Sequence, residues 1–331
     1  MSEVRPFDLI TMGRVGVDIY PEQTGVGLQD VRTFAKFLGG SATNVAVAAA
    51  RLGHRSAVIT RTGDDPFGTF IHQALGGFGV DDRFVAPVAQ LPTPVTFCEI
   101  FPPDDFPLYF YREPTAPDLQ IAADELDLEA IATAKVFWVT VTGLSQEPSF
   151  GAHLAALKAR AEASARPGGQ ALLTVLDLDY RAMFWPSAEQ ATERIAQVLP
   201  YVDVAVGNRE ECEVAVGQTE PDQAADALLE RGVKIAIVKQ GPAGVLGAGS
   251  LDGGSGQRVV VKPVPVDVVN GLGAGDSFGG SLVHGLLEGW DLERTLQFAN
   301  AAGAIVAGQL SCADAMPSVS QVQDVLARGR V

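Results

Sequence analysis

The chain has 331 residues, 47% of them hydrophobic, with 36 glycines and 20 prolines, enough for one large domain or a core domain with an inserted subdomain, linked by many tight turns. Its formal net charge of −16 argues against a general nucleic-acid binder, which needs a basic face, and against attraction to anionic membranes. A polyphosphate ligand is not excluded, because backbone N–H groups, helix N-termini and Mg2+ can supply the positive field locally.

Cys98, Cys212 and Cys312 are far apart, odd in number and without metal-type spacing, so they read as reduced thiols. His54, His72, His153 and His284 form no HxxxH or HxH pair, and no zinc site is expected from them. The N-terminal MSEVRPFDLITMG carries acids and only a short apolar run, unlike a signal peptide. No window approaches the apolar length of a membrane span. The expectation is a soluble cytoplasmic protein.

In chain order, FDLITMG suits a first buried strand. SATNVAVAAARLG follows the double glycine Gly39-Gly40; a Ser/Thr start and a closing glycine make it a helix. SAVITRTGDD reads as a strand, and residues 66–75 as a helix. The rhythm repeats through the strands AKVFWVTV, ALLTVLDLD, VDVAVGN and IAIVKQG, separated by helices over about 149–165, 188–199 and 222–231. Such alternation predicts a parallel sheet covered on both faces. Two regions break it. Residues 14–38 are irregular and β-like, and TPVTFCEIFPPDDFPLYFYREPT (93–115) alternates around a proline-rich turn as a hairpin does. Together they predict a small second sheet, a lid over residues 1–13, 39–92 and 116–331, at the strand ends where open α/β sheets bind ligands. GAGSLDGGSGQ reads as a hairpin tip.

The stretch VDVVNGLGAGDSFGGSLVHGLLEGW, from Val266, puts four glycines around Asp276 ahead of a helix-like run. No lysine follows, as a P-loop requires, and Asp276 occupies the third-glycine slot of a dinucleotide fingerprint, where it would repel a pyrophosphate. Asp276 as a simple N-cap is one reading. The other is an acid beside a backbone anion hole, since Gly273 and Gly275 let successive N–H groups converge at the helix start. That arrangement can deprotonate a hydroxyl while the hole holds a transferring phosphoryl group.

LGGSATNVAVAAARLG (38–53) and VNGLGAGDSF (269–278) resemble the two signature regions of the ribokinase-like, or PfkB, carbohydrate kinases. The likeness extends over nearly the whole chain through Gly13–Asp18 (GxxxxD), NREE (208–211), KQGPAG (239–244) and FANAAGA (298–304). It implies a three-layer α/β/α core with a mostly parallel sheet and a small β lid, and ATP-dependent phosphorylation of a primary hydroxyl. TFAKFLGGSATNVAVAAARLG, LYFYREPTAPDL, DLDYRAMFW, GNREECEVAVG and CADAMPS are similar to the branch acting on 5-dehydro-2-deoxygluconate in myo-inositol breakdown. 2-Keto-3-deoxygluconate kinases and fructokinases share much of the pattern, and a non-catalytic sugar- or nucleotide-binding regulator is the alternative of another class.

The resemblance implies Asp276 as general base, with Gly273, Ala274 and Gly275 as the anion hole. It implies Asp18, Gly39, Gly40, Asn44, Tyr111, Arg112, Asp179 and Arg181 for substrate, Arg112 toward an oxo or carboxylate group. Asn208, Lys239, Gly241, Gly244, Asn300 and Gly303 would serve the nucleotide, and Glu211 would organise Mg2+ through water. Asn44 could instead cap its helix, and Arg112 could pair with Glu113 or Asp118 at the surface. Two positions depart from the family. Asn270 stands where many members carry the Asp of a monovalent-cation site, which puts K+ activation in question. Asp179 stands where some relatives have Asn, leaving an acceptor-only group. Uncovered lid edges are pairing liabilities, so a homodimer through the lid is expected.

Overall fold

The computed structural model describes residues 6–165, 172–252 and 256–331. Its strands are β1 Leu9–Met12, β2 Gly16–Pro21, β3 Phe34–Gly39, β4 Ser56–Gly63, β5 Val85–Val88, β6 Val95–Cys98, β7 Leu108–Tyr111, β8 Val136–Thr140, β9 Leu173–Asp177, β10 Val204–Asn208, β11 Ile235–Lys239, β12 Val245–Gly249 and β13 Gln257–Val261. The helices that matter below are α1 Ser41–Arg51, α2 Pro66–Phe78, α3 Leu128–Thr133, α4 Ser149–Ser164, α5 Ala188–Val198, α6 Arg209–Val216, α7 Pro221–Glu230, α8 Ala274–Leu287, α9 Leu292–Ala307 and α10 Val319–Arg328. The GAGSLDGGSGQ tip joins β12 to β13, and its residues 253–255 lie outside the described residues, as do residues 1–5 and Ala171 of the expected core.

The large sheet runs β13-β12-β11-β10-β9-β8-β1-β4-β5. From β11 to β5 every pairing is parallel, and β12 and β13 add an antiparallel edge. Parallel neighbours need crossovers, and the capped helices between strands provide them. Strand side chains alternate between two buried faces. In β8, Val136 and Trp138 pack with α1, α8 and α9, while Phe137 and Val139 pack with the α3–α7 side. This gives three layers.

The second sheet runs β3-β2-β6-β7. It draws on the two segments that interrupt the βαβ rhythm. The strand order of the large sheet turns at β1, between β8 and β4, and β2 leaves from that point. A ligand crevice belongs at the carboxyl ends of the strands beside such a switch.

Candidate active site

Polar residues at or just beyond the carboxyl ends of several main-sheet strands face one cleft. Arg14 follows β1, Asp177 ends β9 with Asp179 and Arg181 just beyond, Lys239 ends β11, and Glu211 sits in the first turn of α6. The lid supplies the opposite wall. Asp18 of β2 is in register with Thr96 of β6, and Thr96 with Phe110 of β7, so one cross-strand row lines the cleft.

Asp276 lies in the first turn of α8. Gly273 precedes the helix with φ of +80°, a conformation L side chains rarely adopt, and a Cβ there would come within 2.6 Å of Cys312. The helical ladder starts with Ser277 N donating to Gly273 O at 2.9 Å. The amides of Ala274, Gly275 and Asp276 therefore have no intrahelical acceptor and present the positive end of the helix. α8 crosses close to α1 because glycines stand at the contact: a Cβ on Gly280 would come within 2.3 Å of Ala48, and one on Gly279 within 3.1 Å of Val45 and 2.7 Å of Trp138 in β8. That approach lets Asn44 Nδ2, on α1, donate to Asp276 Oδ2 at 2.8 Å. The Asn44 side chain is thus directed at Asp276 and does not cap α1, whose N-cap is Gly40.

Five carboxylates and three cations line the cleft: Asp18, Asp177, Asp179, Glu211 and Asp276 against Arg14, Arg181 and Lys239. Burial pushes the Asp276 carboxyl above its usual range, reinforced by Asp179 and opposed by the Asn44 bond. Burial raises Asp18 to about 6, although Tyr20 Oη donates to it at 2.8 Å. Burial, with Asp179, Glu211 and Asp276 nearby, raises Asp177 to about 8 against the pull of Lys239; Ser41 Oγ donates to it at 3.3 Å. Burial alone would raise Asp179, yet its carboxyl is held low by Arg181 and Arg14, at 2.8 and 3.5 Å. Burial would likewise depress Lys239, but Glu211, Asp177, Asp276 and Asp179 lift it. Glu211 forms a reciprocal capping box with Asn208, through bonds of 2.7 and 2.8 Å, and its other oxygen lies 3.8 Å from Arg181.

Of the residues singled out in the sequence, Asp18, Gly40, Asn44, Asp179, Arg181, Glu211, Lys239, Gly273, Gly275 and Asp276 line this cleft. Gly39 does not; it lies beneath Asp18, whose carboxyl would be 2.3 Å from a Cβ there. Gly244 and Asn300 meet elsewhere, at one backbone segment. A Cβ on Gly244 would touch Val261 O, and Asn300 Nδ2 donates to Lys262 O at 3.1 Å. Gly303 of α9 lies against the start of α8, where a Cβ would stand 3.0 Å from Ala274 O. Gly241, with φ of +54°, begins the turn after β11.

Two expectations are corrected. Tyr111 is 66% exposed, because the two-residue period of β7 turns Phe110 into the cleft and Tyr109 and Tyr111 away from it. Arg112 is not in the cleft lining either. Its guanidinium pairs with Asp118 at 2.7 Å and stacks over Phe184, and the pair is buried, not at the surface. Conversely, Arg14, Tyr20, Ser41, Thr96, Phe110 and Asp177 line the cleft without having been named as site residues. Arg14 and Ser41 sit within or beside the GxxxxD and double-glycine motifs, which was the available signal; Thr96 and Phe110 had none beyond strand alternation.

Folding also assembles a cluster that sequence spacing hides. His54 and His284 share a 2.7 Å hydrogen bond, and Glu288 brings a carboxylate oxygen within 4.8 Å of them. None of the three lines the cleft. The imidazoles satisfy each other, and His284 packs on Trp290 and Phe298.

The pattern of the pfkB family carbohydrate kinases matches residues 7–319. The chain belongs to that family. The 5-dehydro-2-deoxygluconokinase of Clostridium tetani is 31% identical to it, covering 98% of this chain and 94% of the relative. That of Photobacterium profundum is 33% identical over 98% and 96%. Among solved structures, a fructokinase with bound ATP from Xylella fastidiosa superposes with a TM-score of 0.81 at 22% identity, covering 97% of this chain and 98% of that one. This pfkB kinase accordingly has the ribokinase-like fold and is an ATP-dependent carbohydrate kinase. Among the described residues no helix is long and apolar enough to cross a membrane.

Proposed function

We propose that this kinase phosphorylates the primary hydroxyl of a sugar acid, 5-dehydro-2-deoxy-D-gluconate giving the 6-phosphate. The observation that carries the chemistry is Asp276, held by Asn44 at 2.8 Å in the first turn of α8, where Gly273, Gly275 and Asp276 line the cleft. Asp276 takes the proton from the hydroxyl as its oxygen attacks phosphorus. The amides of Ala274, Gly275 and Asp276 hold the charge that builds on the transferring group; such fixed donors typically contribute about 10²–10³ each in rate. Asp18, Gly40, Asn44 and Thr96 hold the sugar from the lid and α1. Lys239, Gly241, Gly244, Asn300 and Gly303, with Asn208 behind Glu211, serve the nucleotide.

The acidic excess of the cleft, five carboxylates against three cations, suits a polyphosphate that arrives with a divalent cation. Oxygen donors are what Mg2+ takes, with several of its waters retained. Glu211, a buried carboxylate of the cleft, is the residue that would hold it through water; the ion would neutralise phosphate charge. We further propose a cytoplasmic homodimer joined through the lid, supported by the aromatic outer face formed by Phe34, Phe97, Tyr109 and Tyr111. Light scattering that gives a monomer at micromolar concentration refutes the dimer.

An ADP-release screen tests the substrate, with 5-dehydro-2-deoxy-D-gluconate, 2-keto-3-deoxy-D-gluconate, D-fructose and a nucleoside as acceptors. Highest kcat/KM for the first is expected; a preference for fructose or the nucleoside refutes the sugar-acid assignment. Asp276→Asn should abolish turnover while retaining ATP binding. ADP release undiminished in that variant refutes the base.

A further inference from the structure

The three cations of the cleft have different neighbours. Lys239 lies at the α8 N-terminus, its Nζ 3.5 Å from where a Gly275 Cβ would stand. Arg181 is engaged by Asp179 at 2.8 Å, by Glu211 at 3.8 Å and by the Tyr180 carbonyl at 3.2 Å. Arg14 is the cation beside the lid, with Phe110 of β7 as a neighbour. Its backbone is pinned, with its carbonyl accepting from Thr43 Oγ1 at 3.3 Å and lying within 2.5 Å of where a Gly40 Cβ would be. Its side chain is 12% exposed, and its ion pair with Asp179 Oδ2 spans 3.5 Å. Arg14 Nε, Arg181 Nε and Asp179 Oδ2 are all buried without a hydrogen-bond partner, but Arg181 is held by Asp179 and Glu211 on the side away from the lid.

A guanidinium carries five donors in a planar fork, and leaving buried donors unpaired is costly. The Arg14 fork also lies beside the Phe110 ring, 5.7 Å from Cζ, in the lid row with Thr96 and Asp18, and its charge favours the ionised forms of Asp18 and Asp276. The unspent donors therefore lie on the sugar side of the cleft, away from Lys239. Arg112, the cation expected from sequence to meet an acidic substrate, is already paired with Asp118.

We infer that Arg14 is the carboxylate-binding residue of the cleft, gripping the acid group of a sugar-acid substrate with its fork. The inference rests on the sugar-acid reading above and adds the residue that makes such a substrate acceptable. The cleft holds five acidic side chains against three basic ones, so an anionic sugar enters where a cation with an unpaired donor receives it. A neutral sugar leaves the fork unsatisfied, and selection against neutral sugars follows from the unpaired donors.

Steady-state ADP release tests this with wild type, Arg14→Gln and Arg14→Lys, using 5-dehydro-2-deoxy-D-gluconate, 2-keto-3-deoxy-D-gluconate and D-fructose. For Arg14→Gln the KM for the acids should rise roughly 10- to 100-fold, the range for a lost charge-assisted hydrogen bond, while the KM for MgATP moves less than about twofold. Arg14→Lys should recover part of the loss, because it keeps the charge without the fork; it also decides the matter if the Gln variant fails to fold. An unchanged KM for the acids overturns the inference. So does a fall in kcat at constant KM, which would make Arg14 a support for Asp179 or Asp276, or a parallel rise in the KM for MgATP. Wild-type enzyme that turns over fructose and neither acid overturns the sugar-acid reading and this inference together. Acid turnover untouched by either substitution overturns this inference alone.

Discussion

Replacing Asn44 by Ala removes the side-chain amide that donates to the base. Asn44 Nδ2 meets Asp276 Oδ2 at 2.8 Å, and that bond favours the ionised carboxylate while burial and Asp179 disfavour it. Removing the donor destabilises only the charged form, so the carboxyl titrates at a higher pH. Hydrogen bonds to charged groups contribute about 1.5–3 kcal/mol; Asp276 is partly open to the cleft, so the lower end applies, and about 1.4 kcal/mol corresponds to one pH unit. The acid limb of the kcat/KM profile, read by ADP release under saturating MgATP, should therefore move up by about one pH unit. At a pH well above that limb, the variant should lose only what Asn44 contributes to holding the sugar. An acid limb that stays in place while activity drops equally at every pH would refute the coupling, leaving Asn44 as a sugar contact only.

Asp276→Asn should raise the thermal stability of the ligand-free protein at pH 8. A carboxyl whose folded-state pKa lies above its unfolded value opposes folding once pH rises between the two. The gain in Tm should shrink as pH falls toward the unfolded value; a Tm difference independent of pH contradicts the assignment. Gly280→Leu should separate α8 from α1, because a Cβ alone would already be 2.3 Å from Ala48. Overpacking of this kind costs about 1–3 kcal/mol, and urea denaturation should report it together with a loss of kcat; retained kcat would show that the α1–α8 spacing does not position the base. Asn270 is fully buried, donating to Leu310 O at 2.7 Å and accepting from Leu272 N at 3.0 Å. It ties the loop ahead of the anion hole with no cation required, so rates in K+ and in tetramethylammonium buffers should match, and Asn270→Asp should introduce K+ dependence by setting a carboxylate against the Leu310 carbonyl. A K+ requirement in the wild type refutes this.

The linear chain carried the architecture and the centre of the chemistry. Short β-branched runs ending in glycine or polar residues, separated by capped helices, dictate a parallel sheet because each strand must bury both faces. The lid announced itself by its two-residue alternation and prolines. Asp276 was legible because its glycine neighbours leave helix-start amides free, a local property of five residues. What tertiary structure decided was which side chains share a space. The phase of β7 is a property of its pairing with β6, and it set Phe110 inward and Tyr111 outward. Arg112 met Asp118 only when the segment after β7 packed against Phe184. Arg14 met Asp179 and the lid only through long-range contacts, and no spacing rule connects residues 14, 110 and 179. His54 and His284 likewise met only across α8, 230 residues apart in sequence. Periodicity and turn chemistry are local and survive in a sequence; ion-pair choice and cleft lining depend on distances that only the packed chain defines.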